Sequence, residues 1–392
     1  MGWWFLEAIG AGLLALWAYL LLFRGRFWAI SPQLPEARST AWDWPEVSII
    51  VPARNEAELL PATLPTLLQQ DYPGSFTVVL VDDNSQDDTL RVGQRVAQRL
   101  GLADRLTALL GEPTPQGWAG KVWAMAQGVR TAPRCSFYLL TDADIAHPPD
   151  SLRCLVSLAL EKDLDLASIM VLLRREGFWE SLLVPPFVHF FAMLYPFQWV
   201  SSPRGRISAA AGGCMLVRRE ALEKVGGLEA IASAIIDDLA LARAIKKGGR
   251  DQGGRLWLGY SYRHKSLRQY GGLAGVWKMV SRSAYAQLRY NPLWLVLTVG
   301  AMGIAYWGPW SLIAMGLLIH RPLAPALGMA AYAIMALCYY PMVRWYRLAA
   351  WWSLALPLAA LLYALMTIDS AVAHWRQRPV LWRGRLPPRP NS

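Results

Sequence analysis

Three groups of aspartates dominate the chemistry available to this chain: Asp82-Asp83, Asp142-Ala143-Asp144 and Asp237-Asp238. Asp142 and Asp144 are two residues apart, so in an extended segment both carboxylates face the same side. Such an oxygen pair suits Mg²⁺ or Mn²⁺, hard cations that usually bind substrate phosphates as well. The plain alternative is a polar turn leading into a helix whose start is marked by Pro148 and Pro149. Asp82 and Asp83 have the same two readings, a nucleotide contact or a turn and helix cap. Asp87 and Asp88 read as negative charge near a helix N-terminus, with Thr89 opening the helix. Asp237 and Asp238 follow the apolar Ile235 and Ile236, where desolvation would suit a general base. They could equally cap the apolar helical run of Leu239, Leu241, Ala242 and Ile245. Lys121 follows Gly117-Trp118-Ala119-Gly120, a flexible loop able to bring an ammonium to a diphosphate; a solvated surface lysine is the alternative. Gly212 and Gly213 would let a substrate approach the backbone closely.

These residues need elements to hold them. Residues 47–51 read as a short buried strand ended by Pro52, and residues 78–81 as a second, running straight into Asp82. Between them Leu59, Leu60, Leu64, Leu67 and Leu68 recur at helical spacing, which makes a βαβ unit. Residues 106–110 and 137–140 supply further strands, the latter running into Thr141 and Asp142. Continuous apolar strands alternating with helices imply an α/β fold with a mostly parallel sheet covered on both faces. Ligands of such sheets bind beyond the carboxyl ends of the strands, where two of the acidic clusters fall. Without a basic partner nearby in sequence, these acids would repel one another unless a cation were bound.

The chain has 392 residues, of which 54% are hydrophobic and only 17% charged. Soluble domains carry about a quarter charged residues, so apolar segments must account for the deficit. Residues 3–23 form one such run, broken only by Glu7 and long enough to cross a bilayer. Basic residues follow it, at Arg24, Arg26 and Arg38, which sets the central domain in the cytoplasm. Three more candidates lie at about 293–319, 323–342 and 348–368. The basic tail, with Arg376, Arg378, Arg383, Arg385 and Arg389, then conflicts with an odd number of crossings. A break at Gly308-Pro309 could turn the first of the three into a re-entrant hairpin and restore the parity. Residues 182–200 are also apolar, but Pro185, Pro186 and Pro196 leave nine residues between breakers, too few for a spanning helix. They are expected to lie in the membrane interface, or else to be a greasy internal loop or a core helix. The net charge of +11 flanks apolar segments instead of forming one soluble patch, which favours anionic headgroups over nucleic acid.

Taken in order, Val51-Pro52-Ala53-Arg54-Asn55-Glu56, Val81-Asp82-Asp83-Asn84-Ser85, Asp142-Ala143-Asp144, Gly212-Gly213 and Asp237-Asp238 resemble the motifs of family 2 glycosyltransferases, inverting enzymes of the GT-A fold. With its membrane segments and the stretch from Ser281 to Tyr290, the chain looks most like the hopene-associated type. The resemblance covers about residues 45–270. Together with the apolar and basic segments read above, it gives a membrane helix at 1–24, a cytoplasmic Rossmann-like GT-A domain at 45–260 with an interfacial segment 182–200, a closing segment at 261–291, membrane helices at 292–369 and a basic tail at 370–392. It further implies that Pro52, Arg54, Glu56, Asp82, Asp83, Lys121 and Asp142 bind a nucleotide sugar, with a UDP-sugar as the usual donor. Asp142 and Asp144 would hold Mg²⁺ or Mn²⁺. Asp238 would be the base, beside Asp237, which stands where the family usually has a glutamate. Gly212, Gly213, Arg282, Gln287 and Arg289 would meet the acceptor. The family's Gln-x-x-Arg-Trp motif is not present literally: Gln287-Leu288-Arg289-Tyr290 is one residue shorter and ends in tyrosine. That departure favours a single transfer over processive polymerisation.

The expected reaction is a metal-assisted direct displacement onto a hydroxyl of a membrane lipid, a hopanoid first, at the inner membrane of a bacterium. A polyprenyl phosphate or another lipid is the alternative acceptor, and a non-catalytic scaffold for lipid-biosynthetic enzymes is the alternative class.

Overall fold

The computed structural model describes residues 3–37, 43–203, 205–248 and 253–378. Arg38 and the tail arginines Arg383, Arg385 and Arg389 lie outside the described residues. The described residues divide into two compact units, one built on a sheet (within 31–174 and 197–269) and one of helices (within 3–30, 175–196 and 270–378).

Among the described residues the sheet unit has eight strands: β1 (Val47–Ala53), β2 (Phe76–Asp82), β3 (Leu106–Leu110), β4 (Phe137–Thr141), β5 (Ile145–Ala146), β6 (Leu166–Leu172), β7 (Cys214–Arg218) and β8 (Leu256–Ser266). They lie in the order β3-β2-β1-β4-β7-β6-β8-β5. The pairs β1–β2, β1–β4, β2–β3 and β6–β8 are parallel, whereas β7 runs antiparallel to both β4 and β6. Every residue of β1 is buried, as continuous apolar strands between two layers of helices require. The helix Leu60–Leu68 buries Leu60, Leu64, Leu67 and Leu68, the leucines whose spacing marked it. On another helix, Gly120–Thr131, a Cβ at Gly128 would come 2.5 Å from Cγ2 of Ile50, so only glycine allows this approach to the sheet.

Register decides where the site forms. Ala53 pairs with Asp82, so β1 and β2 end level, and Ile50 pairs with Leu140, so β4 ends at the same edge two residues short of them. Because β7 is antiparallel, its first residue, Cys214, faces the last residue of β4, Thr141. The glycines preceding β7 therefore reach the same edge as the aspartates that follow β2 and β4.

Among the described residues of the helical unit, five helical segments are long and apolar enough to cross a membrane: Trp4–Phe23, Gly177–Leu194, Pro292–Leu318, Leu323–Trp345 and Ala350–Trp375. Small residues let the helices approach: Cβ atoms at Gly10, Gly308, Gly316 and Gly328 would lie within 3.0 Å of Leu327, Leu13, Pro325 and Pro309. Leu22, Phe23, Val296, Leu317 and Leu318 point outward and exposed, an apolar rim fitted to lipid.

Two expectations need correction here. The chain does not reverse at Gly308-Pro309. It passes from the helix Pro292–Met302 through a π-helical turn, Gly303–Trp307, into the helix Gly308–Leu318, and the indole of Trp17 donates to the Ala305 carbonyl of that turn at 3.0 Å. Pro185 and Pro186 do not break the apolar stretch either; they lie inside the 18-residue helix Gly177–Leu194. Tyr363 donates its hydroxyl to the Leu183 carbonyl at 2.8 Å, satisfying backbone beside the proline pair. Length alone is a poor guide for this helix. The strands before and after it, β6 and β7, pair with each other, so a single crossing would put neighbouring strands on opposite sides of the membrane.

Candidate active site

At the carboxyl edge of the sheet the loops after β1 and β2 brace each other. Asp83 N–H donates to the Ala53 carbonyl at 2.7 Å. Arg54, 7% exposed, sends its guanidinium to the carbonyls of Asp83 and Asn84. Asn55 N–H reaches Ser85 Oγ at 2.9 Å, and Glu56 N–H reaches Thr89 Oγ1 at 2.8 Å. Asp82 Oδ1 accepts from the Ser85 amide at 3.0 Å and from its hydroxyl. Asp87 Oδ1 accepts the Thr89 amide at 3.0 Å where the helix Thr89–Arg99 begins. Pro52 is buried inside β1, opposite Val81.

The second cluster is held by β4, β7 and two helix starts. Lys121 is not on a flexible loop but in the first turn of the helix Gly120–Thr131, and it is the basic partner that sequence proximity hid. Its Nζ lies 2.8 Å from Asp142 Oδ1 and 3.1 Å from Asp237 Oδ2. The acids are therefore neutralised in part by a lysine and need no metal to coexist. A backbone bond from Ala119 N–H to the Ala232 carbonyl, 2.7 Å, ties the segment before Lys121 to the one before Asp237.

Asp237 and Asp238 open the helix Asp237–Gly248. The position favours negative charge, because unpaired amides end there. Asp238 is gripped on both oxygens: Oδ2 accepts from Gly212 N–H at 2.8 Å and Oδ1 from Leu239 N–H at 2.7 Å. Burial and the neighbouring Asp237 carboxylate push its pKa up to about 7, against the opposing pull of Lys121 and the two amides. The same surroundings hold Lys121 firmly protonated: burial opposes its charge, but Asp142 and Asp237 outweigh it. A Cβ at Gly212 would sit 3.2 Å from Asp238 Oδ2 and 3.3 Å from Lys121 Nζ, so the absence of a side chain there keeps the cluster's centre open.

Asp144 is 7% exposed and accepts from Ser266 Oγ at 2.8 Å, while the Asp142 side chain is 37% exposed. Together they offer carboxylate oxygens only, one anchored and one accessible, a donor set fitting a hard divalent cation that keeps sites for water and phosphate. Ser266 had no signal in the sequence, since it lies 122 positions from its partner.

The structure thus brings Lys121, Asp142, Gly212, Asp237 and Asp238 into one cluster. Glu56, Asp82 and Asp83 gather at the ends of β1 and β2. Arg282, Gln287 and Arg289 belong to the helical unit; there Gln287 donates to the Tyr195 hydroxyl.

Comparison with known proteins follows the same lines. A model of glycosyl transferase family 21 matches residues 6–386. The beta-monoglucosyldiacylglycerol synthase of Trichormus variabilis is 28% identical over 200 residues, which are 50% of this chain and 40% of that protein. The dodecaprenyl-phosphate galacturonate synthase of Rhizobium johnstonii is 31% identical over 123 residues, 31% of this chain and 34% of that one. The chain thus matches two fifths or less of the length of these relatives. Among solved structures, the mannosyltransferase PcManGT of Pyrobaculum calidifontis, in complex with GDP-Man and Mn²⁺, aligns with a TM-score of 0.56 at 23% identity, over 95% of this chain and 99% of that one. The likeness extends to the fold: a mostly parallel mixed sheet of the GT-A kind.

Proposed function

Because the chain belongs to glycosyl transferase family 21, we propose that it moves one sugar from a nucleotide-diphosphate sugar to a hydroxyl of a membrane lipid, with inversion at the anomeric carbon. The observation that carries this reading is Asp238: a carboxylate fixed by two amides, poised to ionise near neutral pH, in the same cluster as Lys121 and Asp142. Asp238 takes the proton of the acceptor hydroxyl as its oxygen attacks the anomeric carbon from the face opposite the leaving diphosphate. The bond to the diphosphate breaks as the new glycosidic bond forms, so no glycosyl-enzyme is made. Asp237 holds the Lys121 ammonium beside the base. Lys121 turns from the aspartates to the diphosphate as negative charge grows there. Glu56, Asp82 and Asp83, at the ends of β1 and β2, take the base and ribose.

Asp142 and Asp144 would hold Mg²⁺ or Mn²⁺, which supplies Lewis-acid stabilisation of the departing diphosphate when bound. Mn²⁺ in the structurally similar mannosyltransferase supports that choice.

The apolar helices of the chain itself, with the lipid products named for its relatives, support a lipid acceptor. A hopanoid is the first acceptor to test, followed by diacylglycerol glycolipids and polyprenyl phosphate. With the sheet unit in the cytoplasm, the donor would come from the cytosol at a bacterial inner membrane. The test is incubation of the purified, detergent-solubilised protein with UDP- and GDP-sugars, Mn²⁺ and separate lipid classes, with products read by mass. A new glycolipid supports the reading and names donor and acceptor together; free sugar alone, with every lipid class present, would contradict the lipid acceptor.

A further inference from the structure

Behind the acidic cluster, within the sheet unit, runs a buried chain of hydroxyls and imidazoles. Thr141, His147, Ser151, Ser261 and His264 are all buried, and His264 is fully so. Thr141 Oγ1 lies 2.8 Å from the Gly213 carbonyl and 2.9 Å from His147 Nε2. His147 Nδ1 lies 3.4 Å from Ser151 Oγ, which is 2.6 Å from His264 Nε2. His264 Nδ1 lies 2.7 Å from Ser261 Oγ.

The direction of every bond follows from one end. A carbonyl can only accept, so the Thr141 hydroxyl donates to Gly213 and must accept from His147 Nε2–H. His147 is then the tautomer whose Nδ1 accepts, from the Ser151 hydroxyl. Ser151 in turn accepts from His264 Nε2–H, and His264 Nδ1 accepts from Ser261. Each group has one role, and the assignment holds only with both rings neutral, since an imidazolium would donate from both nitrogens. Burial favours that state, lowering the pKa of His147 to about 3 and of His264 in the same direction.

We propose that this chain is a positioning device for the transfer site, resting on the glycosyltransferase reading above. Its last member fixes the Gly213 carbonyl. That carbonyl also receives Asp142 N–H at 3.3 Å, and the neighbouring Gly212 N–H holds Asp238 at 2.8 Å. One buried thread thus sets the backbone on which both a cation-facing carboxylate and the base depend. Cys214 Sγ lies within 4.8 Å of nitrogens of both rings, which brings a soft metal to mind. Such an ion would have to displace hydroxyl bonds that already use the accepting nitrogen of each imidazole, and would need a thiolate that burial disfavours.

Two substitutions test it. His147→Leu removes the link to Thr141, whereas His147→Gln sets an amide nitrogen near the place of Nε2 and can still donate. With Mn²⁺ and donor saturating, the Leu variant is expected to lose about ten- to a hundredfold in kcat, a loss typical of removing support behind a site. Its donor KM should stay within about threefold, and the Gln variant should recover most of the loss. Hydrogen exchange gives a readout independent of turnover: peptides covering 208–216 and 236–240 should lose protection in the Leu variant while those of β1 and β2 keep it. Equal losses in both variants that track their melting temperatures, or unchanged exchange at 208–216, would overturn the proposal. So would a chelator-resistant equivalent of transition metal in the wild type that disappears in Cys214→Ser. Failure of the wild type to transfer any sugar would count against the functional reading, with the exchange result still deciding this one.

Discussion

The amide of Gly212 donates to Oδ2 of Asp238 at 2.8 Å, across 26 positions of sequence. A residue with no side chain thus both orients a carboxylate and leaves room before it. Gly212→Ala would place a methyl 3.2 Å from that oxygen and 3.3 Å from Lys121 Nζ. These neighbours are side-chain ends that can shift by a few tenths of an ångström, so the fold should survive. Turnover is expected to drop by roughly tenfold or more, because small displacements of a base are costly. Steady-state rates with circular dichroism as a folding control would check this, and an alanine variant of full activity would remove Gly212 from the site.

Proton acceptance requires the ionised form of Asp238, whose pKa is raised to about 7. Below that pH the carboxyl is protonated and cannot act, so kcat/KM should climb through about pH 7 and level off above it. Lys121 stabilises the ionised form, so Lys121→Met should move this limb to higher pH as well as slow the reaction. A pH–rate series on both proteins measures the limb; a shift to lower pH in the variant would have the wrong sign.

Much of this architecture was legible in the order of residues. Apolar runs at 47–51 and 78–81 and the leucines between them announced a βαβ unit, because burial on two faces leaves a continuous apolar pattern. The acidic clusters stood out because they fall where such strands end. Lys121 as their partner did not, since its distance from Asp237 in sequence is bridged only by folding. Thr141, His147, Ser151, Ser261 and His264 carry no motif: they fall in two segments more than a hundred positions apart, which become one network only once folding sets β8 beside the segment that follows β4. The proline pair misled for a related reason, because helical partners make good what proline removes.

Ser266 supports Asp144 from β8, donating its hydroxyl to Oδ2. Ser266→Ala should raise the Mn²⁺ concentration for half-maximal turnover by about tenfold, the usual scale for a lost partner of a metal ligand. At saturating Mn²⁺ most of the rate should return. A metal titration reads this directly, and an unchanged midpoint would argue that Asp144 binds no cation.

The close approach at Gly128 makes a prediction about the sheet unit rather than the chemistry. Gly128→Ala forces a methyl to 2.5 Å from Ile50, overpacking expected to cost about 1–3 kcal/mol. Thermal unfolding should come earlier while kcat at low temperature stays near the wild type. An equal or higher melting temperature would mean that the helix can move off the sheet freely.

The most direct test of the transfer mechanism is Asp238→Asn, measured for donor binding and for transfer in the same preparation. Asparagine keeps the size of the side chain and can still accept from Gly212, but it cannot take a proton at neutral pH. Mn²⁺-dependent binding of the nucleotide sugar should remain within a few-fold of the wild type while glycolipid formation falls by at least about a hundredfold. Transfer at the wild-type rate by the asparagine protein would contradict the assignment of Asp238 as the base.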